Sequence, residues 1–160
     1  MKFILYSIFL FFLSPCNHPK SLSAANSVTD NSSIVITYRQ TACFGKCPVA
    51  SMTINGSTKT ITYSGQMNVE KQGKYSKAIS NEELDKLVAA FAKAKFETLN
   101  EKYMGQISDF PSVIITFTKD GKTKSVEDRK AGPAELVDLE NLLKDIADSS
   151  GWKKEEDADH

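Results

Sequence analysis

The sequence feature that most constrains the fold is a pair of cysteines, Cys43 and Cys47, with three residues between them and β-rich segments on both sides. In an extended strand their Cα atoms would lie roughly 13 Å apart, at about 3.3 Å per residue, whereas a disulfide requires about 4.4 to 6.8 Å. A bond between the two sulfurs therefore forces the chain to turn. Gly45 can adopt the positive φ that some tight turns need, and Pro48 fixes φ where the chain leaves the loop.

Two thiols at this spacing are compatible with a disulfide, a thiol–disulfide exchange couple or half of a metal site. In an oxidising compartment a structural disulfide is favoured. Exchange couples usually lie at a helix N-terminus that lowers the thiol pKa, and no helix signal follows Pro48. A metal site needs further ligands, but the only histidines, His18 and His160, lie outside the segment with folding signals. We predict a disulfide between Cys43 and Cys47, no metal ion and no other cofactor.

The N-terminal residues predict export. Residues 1–15 begin with a positive charge and contain an apolar run, residues 3–13, which Cys16 follows closely. This arrangement resembles a bacterial lipoprotein signal peptide. In that pattern the signal peptide is removed, and Cys16 becomes the new N-terminus and carries lipid, including palmitate. Pro15 stands where that pattern usually has glycine, alanine or serine. The alternatives are a general secretory signal cut near Ala24 and a membrane-spanning helix, for which the apolar run falls short of the ~20 residues needed.

Cysteine parity and composition agree with an envelope location. The chain has three cysteines, and lipidation of Cys16 would leave the other two as an even pair. Residues 16–33 are rich in Ser, Asn, Ala and Thr, which predicts a flexible tether spanning roughly 20 to 25 Å. We therefore expect a lipid-anchored protein of the bacterial cell envelope that faces the periplasm or the cell surface. The 20 basic and 20 acidic residues balance, so no basic face for nucleic acid is expected.

Alternation of apolar and polar residues begins at residue 34 and predicts β-strands. An Asn-Gly pair at 55–56 and an Asp-Gly pair at 120–121 are strong signals for hairpin turns between neighbouring strands. A more polar hairpin at 68–79, with its first arm at 68–71, is expected at a sheet edge. The stronger strands are predicted at residues 34–39, 49–54, 60–64, 111–119 and 123–128.

Two helices are predicted from their start signals and their apolar spacing. Ser80 and Glu83 form a capping box, and Pro133 begins the second helix. In each helix the apolar residues recur at intervals of three and four, which places them on one face. The two stripes are Leu84, Leu87, Val88 and Phe91 in the first helix, and Leu136, Leu139, Leu142, Leu143 and Ile146 in the second.

These elements predict the fold class α+β, with a single antiparallel sheet of five or six strands and two helices packed on one face of it. The predicted domain occupies residues 34–152, and its length is sufficient for one hydrophobic core. Residues 153–160 are predicted to form a charged, disordered tail.

Several short motifs resemble those of a family of bacterial exported proteins known as domain of unknown function 6438. The likeness extends over residues 34–152, and its specific part is the Cys-Phe-Gly-x-Cys-Pro loop. The sequence departs from the family at Ala50, where an aromatic residue is usual. The resemblance implies an exported α+β domain and implies no activity. The motifs are Cys43-Phe44-Gly45-Lys46-Cys47-Pro48, Tyr63-Ser64-Gly65, Tyr103, Asp109-Phe110-Pro111, Val126-Glu127-Asp128, Gly132-Pro133, Leu139-Glu140 and Trp152.

No catalytic residue is predicted. A histidine-dependent hydrolase is disfavoured because the chain has no Gly-x-Ser-x-Gly elbow and no histidine in the predicted domain. We therefore expect a non-catalytic binding or scaffolding domain with an envelope protein as its partner. The candidate binding residues are Phe44, Lys46, Tyr103 and Asp109. The alternative is an envelope enzyme that uses Tyr103, Asp109 and Asp128, or the two loop thiols. For Phe44, an inward position in the core is a further alternative.

Overall fold

In the computed structural model, residues 30–156 are described. The predicted signal peptide, the predicted lipidation at Cys16 and most of the predicted tether lie outside these residues, as do residues 157–160 of the predicted tail. Within residues 30–156 no helix is long and apolar enough to cross a membrane.

Eight strands, two α-helices and one short 3-10 helix make up the described part of the chain. The helices are α1 Asn81–Lys93 and α2 Ala134–Asp148, and the 3-10 helix is Phe96–Thr98. The strands are β1 Val35–Gln40, β2 Val49–Asn55, β3 Thr60–Met67, β4 Gly73–Ala78, β5 Lys102–Met104, β6 Val113–Lys119, β7 Lys122–Arg129 and β8 Lys153–Lys154.

The eight strands form one sheet in the order β5-β7-β6-β1-β2-β3-β4-β8. All neighbours are antiparallel except β5 and β7, which run parallel. The prediction of a purely antiparallel sheet with five or six strands is therefore wrong in both respects. The two edge strands that the sequence did not predict are β5, with three residues, and β8, with two. Segments this short cannot show the alternation of apolar and polar residues by which a strand is predicted from sequence.

The structure also changes the interpretation of two segments near the β4 edge. β8 lies in the predicted tail, where Lys153 pairs with Ser76 and Lys154 pairs with Tyr75. The arm predicted at 68–71 is instead part of the turn between β3 and β4. This turn passes close over Gly65, where a Cβ would lie 1.8 Å from a carbonyl oxygen of the turn, so no larger residue fits there.

The hydrophobic core fills the space between one face of the sheet and both helices. Alternate residues of the central strands, such as Ile36 and Met52, point into it and are fully buried. On β6, the Phe117 ring stacks on Phe91 of α1, with the ring centroids 4.6 Å apart. The opposite face is lined by hydroxyl residues such as Thr37, which is typical of an antiparallel sheet with one solvated face. The helical core residues are Leu84, Leu87, Phe91, Leu136, Leu139 and Leu143.

A local signal sets the start of α1. The predicted capping box is present: the Ser80 hydroxyl accepts from the Glu83 N–H at 3.2 Å, and Glu83 accepts from the Ser80 N–H at 2.8 Å.

A tertiary contact fixes the chain after α2. The Lys77 ammonium on β4 donates to Ser149 Oγ at 2.5 Å and lies 4.7 Å from the Trp152 ring centroid. Burial lowers the pKa of Lys77. This contact holds the end of α2 against the sheet.

The sheet has two ends that present different segments. At the end called here the loop end, β1, β3, β5 and β7 finish, and the chain forms the cysteine loop at 41–48 and the connecting segment at 105–112. At the other end, called the entry end, the described chain begins at Asp30 and leads into β1. Because β1 has six residues at about 3.3 Å each, the two ends lie about 20 Å apart.

Candidate functional site

The predicted disulfide between Cys43 and Cys47 is present, and it closes the cysteine loop with the two Cα atoms 5.7 Å apart. The Gly45 N–H donates to Cys43 Sγ at 3.2 Å, and the turn closes without a positive φ at Gly45. At the far side of the loop, Asn68 Nδ2 donates to the Cys47 carbonyl at 3.0 Å. The loop is therefore fixed internally by a covalent bond and externally by the chain that follows β3.

Phe44 is 92% exposed at the tip of this loop. The alternative that its ring fills the core is therefore wrong. Lys46, two residues later, is also exposed, and among the described residues no carboxylate forms an ion pair with it. The loop thus presents an aromatic ring and a neighbouring cation to solvent.

The connecting segment at 105–112 is tied to the start of the cysteine loop. Thr41 N–H donates to the Ser112 carbonyl at 3.0 Å, and Ser112 N–H donates to Thr41 Oγ1 at 2.8 Å. Asp109 lies in this segment, where it is exposed and accepts from Ser108 Oγ at 3.2 Å. The two segments of the loop end therefore have a shared, hydrogen-bonded base.

The three residues of the enzyme alternative have separate surroundings. Tyr103 on β5 packs partly against the core, and its hydroxyl accepts from the Asn100 N–H at 3.0 Å. Asp128 on β7 lies opposite Tyr103 in the sheet register, but it is only 4% exposed. Its carboxylate already accepts hydrogen bonds from two backbone N–H groups. Asp109 is exposed in the connecting segment and bonds only to its sequence neighbour among the described residues.

The Asp128 carboxylate instead lies near Glu140 of α2, a residue that the sequence analysis did not predict as a site. Asp128 Oδ1 accepts from the N–H groups of Ala131 and Gly132 at 2.9 and 2.7 Å, which fixes the corner between β7 and α2. The pKa of Glu140 is raised to about 8, first by burial and then by the neighbouring Asp128 carboxylate, while Lys130 opposes the rise. The sequence contains a signal for the burial of Glu140, because a residue four positions after Leu136 lies on the same, core-facing side of the helix.

A large cavity lies away from all of these groups. It is a groove of about 1000 Å³ between α1, the end of α2 and the β3–β4 pair, with Leu87, Leu142 and Ile146 in its wall. Leu142, which the helix pattern predicts as buried, is 37% exposed because it faces this groove. Within residues 30–156 no group of three or more His, Cys, Asp or Glu side chains is arranged to hold a metal ion.

The disulfide makes a measurable contribution to stability. Closing a ring of this size removes unfolded-state entropy equivalent to about 2 kcal/mol. Replacing both Cys43 and Cys47 by serine should therefore lower the free energy of unfolding by about 2 kcal/mol in urea titrations while the far-UV circular dichroism spectrum stays the same. Intact-mass analysis of the denatured, unreduced domain, residues 34–152, should show no thiol open to alkylation. Two reactive thiols would contradict the pairing.

Comparison with known proteins gives one relationship. A search of curated proteins finds no match to this chain. The family model described as Domain of unknown function (DUF6438) matches residues 34–147, which is more than half of the chain and includes the cysteine loop, Asp128 and Glu140. The chain therefore belongs to the DUF6438 family.

Proposed function

We propose that this domain is a non-catalytic binding module of the bacterial cell envelope, and that the cysteine loop is part of its contact surface. The observation that supports the proposal is the 92% exposure of Phe44 on a loop held by a disulfide. A phenylalanine this exposed gains nothing for the fold, since its ring stays in water. Its burial against a partner would release about 2 kcal/mol.

The cysteine loop should also lose little conformational entropy when it binds a partner. Ordering a flexible loop on association costs about 0.5 to 1.5 kcal/mol for each immobilised side chain, and more for the backbone. The disulfide and the Asn68 contact have already fixed the backbone of this loop. Lys46 adds a cation beside the ring that can pair with a carboxylate of the partner, which favours orientation and encounter rate.

Substitution of Phe44 by alanine separates binding from folding. We expect the free energy of unfolding to change by less than about 0.5 kcal/mol, because the ring makes almost no contact within the domain. Binding to the partner should weaken by tenfold or more, as removal of an aromatic anchor costs about 2 kcal/mol. The matched control is Val137→Ala on α2, which removes an apolar side chain that is 39% exposed elsewhere. A loss of stability near 3 kcal/mol, or unchanged binding, would contradict this role of Phe44.

We also propose that lipid on Cys16 anchors the module to a membrane. The sequence pattern and cysteine parity support this proposal. Cys16→Ala should abolish labelling by a fatty-acid analogue in cells and move the protein from the membrane fraction to soluble or unprocessed forms. The control is Ser14→Ala, which changes a residue inside the signal and should retain labelling. Persistent labelling of the Cys16 variant would contradict the proposal.

A further inference from the structure

Exposed large apolar side chains are concentrated at the loop end of the sheet. Of the seven such residues in the described part of the chain, only Val137 and Leu142 lie elsewhere, on α2. The other five lie at the ends of strands, or in segments next to strand ends, at the loop end. They are Phe44, Met67, Met104, Ile107 and Phe110, with exposures of 92, 52, 40, 54 and 44%. We call these five residues the apolar end surface.

Hydrogen bonds connect the segments that carry this surface. Asn68, next to Met67, bonds to the cysteine loop, and Ser112, two residues after Phe110, bonds to Thr41. Arg129 at the end of β7 donates to Met104 Sδ at 3.0 Å and to the Ser108 carbonyl at 3.4 Å. The segments therefore share one support and can act as a unit.

The apolar end surface has about the width of a protein interface. From β5, which carries Met104, to β3, which carries Met67, there are five strand spacings. At about 4.8 Å each, they give a width of about 24 Å. A standard interface buries about 800 Å² on each partner, which corresponds to a square about 28 Å on each edge.

The geometry points to a protein partner that covers the whole apolar end surface, with an apolar pocket for Phe44 and a carboxylate beside it for Lys46. This inference rests on the proposed binding function and extends it from the cysteine loop to the connecting segment at 105–112 and to Met67. Aromatic and methionine side chains are enriched in the centres of protein interfaces. The cations Lys46 and Arg129 and the carboxylate of Asp109 lie within the same segments, as in a mixed polar rim.

The point where the chain enters the domain favours a protein over the lipid bilayer as the occupant. The chain enters at Asp30, about 20 Å from the apolar end surface and at the opposite end of the sheet. An anchor that precedes Asp30 therefore leaves the surface free to face away from the membrane.

Site-specific photo-crosslinking in cells tests this surface. The full chain carries a photoreactive phenylalanine analogue at position 44, 107 or 110, and at Val137 as the control position. Irradiated products are identified by mass spectrometry. We expect the same protein to be crosslinked from positions 44, 107 and 110 and not from 137. The double substitution Ile107→Ser and Phe110→Ser should lower the crosslinking yield from position 44 at least tenfold. Because both side chains are about half exposed, the variant should remain folded, which its far-UV circular dichroism spectrum checks.

The other outcomes separate this inference from the proposed function. Crosslinking from position 44 that does not respond to the double substitution would overturn the extended surface and leave the cysteine loop as the contact. Products that contain lipid, or a second copy of this chain, would overturn the protein partner inferred here. Absence of any product from all three positions would overturn both the inference and the proposed binding function.

Discussion

Replacing Asp128 by alanine should lower the free energy of unfolding by about 3 to 4 kcal/mol. The Asp128 carboxylate is 4% exposed and accepts hydrogen bonds from the N–H groups of Ala131 and Gly132. Its removal leaves two donors without their acceptor at a partly buried corner, and each unsatisfied group costs about 1 to 3 kcal/mol. The corner is also tightly packed, because a Cβ on Gly132 would lie 3.1 Å from Asp128 Cγ.

Urea titration of the variant measures this effect, with two controls. Asp109→Ala removes an exposed carboxylate and should change stability by less than about 0.5 kcal/mol. Asp128→Asn retains the Oδ1 oxygen, which accepts both bonds, and loses only the charge, so it should cost less than half as much as alanine. A loss below about 1 kcal/mol for Asp128→Ala would show that the corner does not depend on this carboxylate.

The second large effect is the pH dependence contributed by Glu140. Its pKa is raised from 4.5 to about 8 in the folded protein. Below about pH 4.5 the carboxyl is protonated in both states and contributes nothing to pH dependence. Between about pH 4.5 and 8 the unfolded chain releases the proton while the folded protein keeps it, so stability falls as the pH rises. Above about pH 8 both states are ionised and the loss is complete.

Glutamine at position 140 removes this loss while keeping the shape of the protonated acid. Each pKa unit corresponds to about 1.4 kcal/mol, and the partial exposure of Glu140 reduces the full effect to about 2 to 3 kcal/mol. Glu140→Gln should therefore stabilise the protein by about 2 to 3 kcal/mol at pH 8 and by less than about 0.5 kcal/mol at pH 4.

Thermal unfolding across this pH range provides the measurement. The control is Asp138→Asn, which changes an exposed carboxyl side chain on the same helix and should alter stability by less than about 0.5 kcal/mol at either pH value. An equal effect of Glu140→Gln at pH 4 and pH 8 would contradict the assignment of a protonated Glu140 in the folded protein.

Local sequence signals predicted those elements whose cause is local. The capping box at Ser80 sets the start of α1, and the Asp-Gly pair at 120–121 forms the turn between β6 and β7. The pairing of Cys43 with Cys47 depends only on the short chain between them. In each case the physical cause lies within about five residues, so the sequence displays it directly.

Strands β5 and β8 illustrate what the sequence does not display. Each is too short for a periodic pattern and exists because a neighbouring strand offers free backbone groups, as β4 does for Lys153 and Lys154. For Glu140, the helix pattern indicates an inward position, but it does not show the neighbouring Asp128, which lies on a different element. Tertiary partners decide these features, and no local propensity reports them.

The apolar end surface is also a product of topology. Met67, Ile107 and Phe110 are single apolar residues in segments without periodicity, so none of them indicates a surface when the sequence is considered alone. The antiparallel order of β3, β2, β1 and β6 brings their segments to one end of the sheet. The exposure of Phe44 likewise depends on the direction in which the cysteine loop leaves the sheet.

The most direct test of the binding surface is an NMR titration of the isotopically labelled domain with the purified protein identified by crosslinking. We expect amide signals to shift or broaden at residues 41–48 and 105–112 and at Met67, with titration curves that give one dissociation constant. Signals of residues that line the groove between α1, α2 and the β3–β4 pair, such as Lys77 and Leu142, should stay unchanged. Changes confined to that groove, with the loop end unaffected, would contradict the assignment of the contact surface.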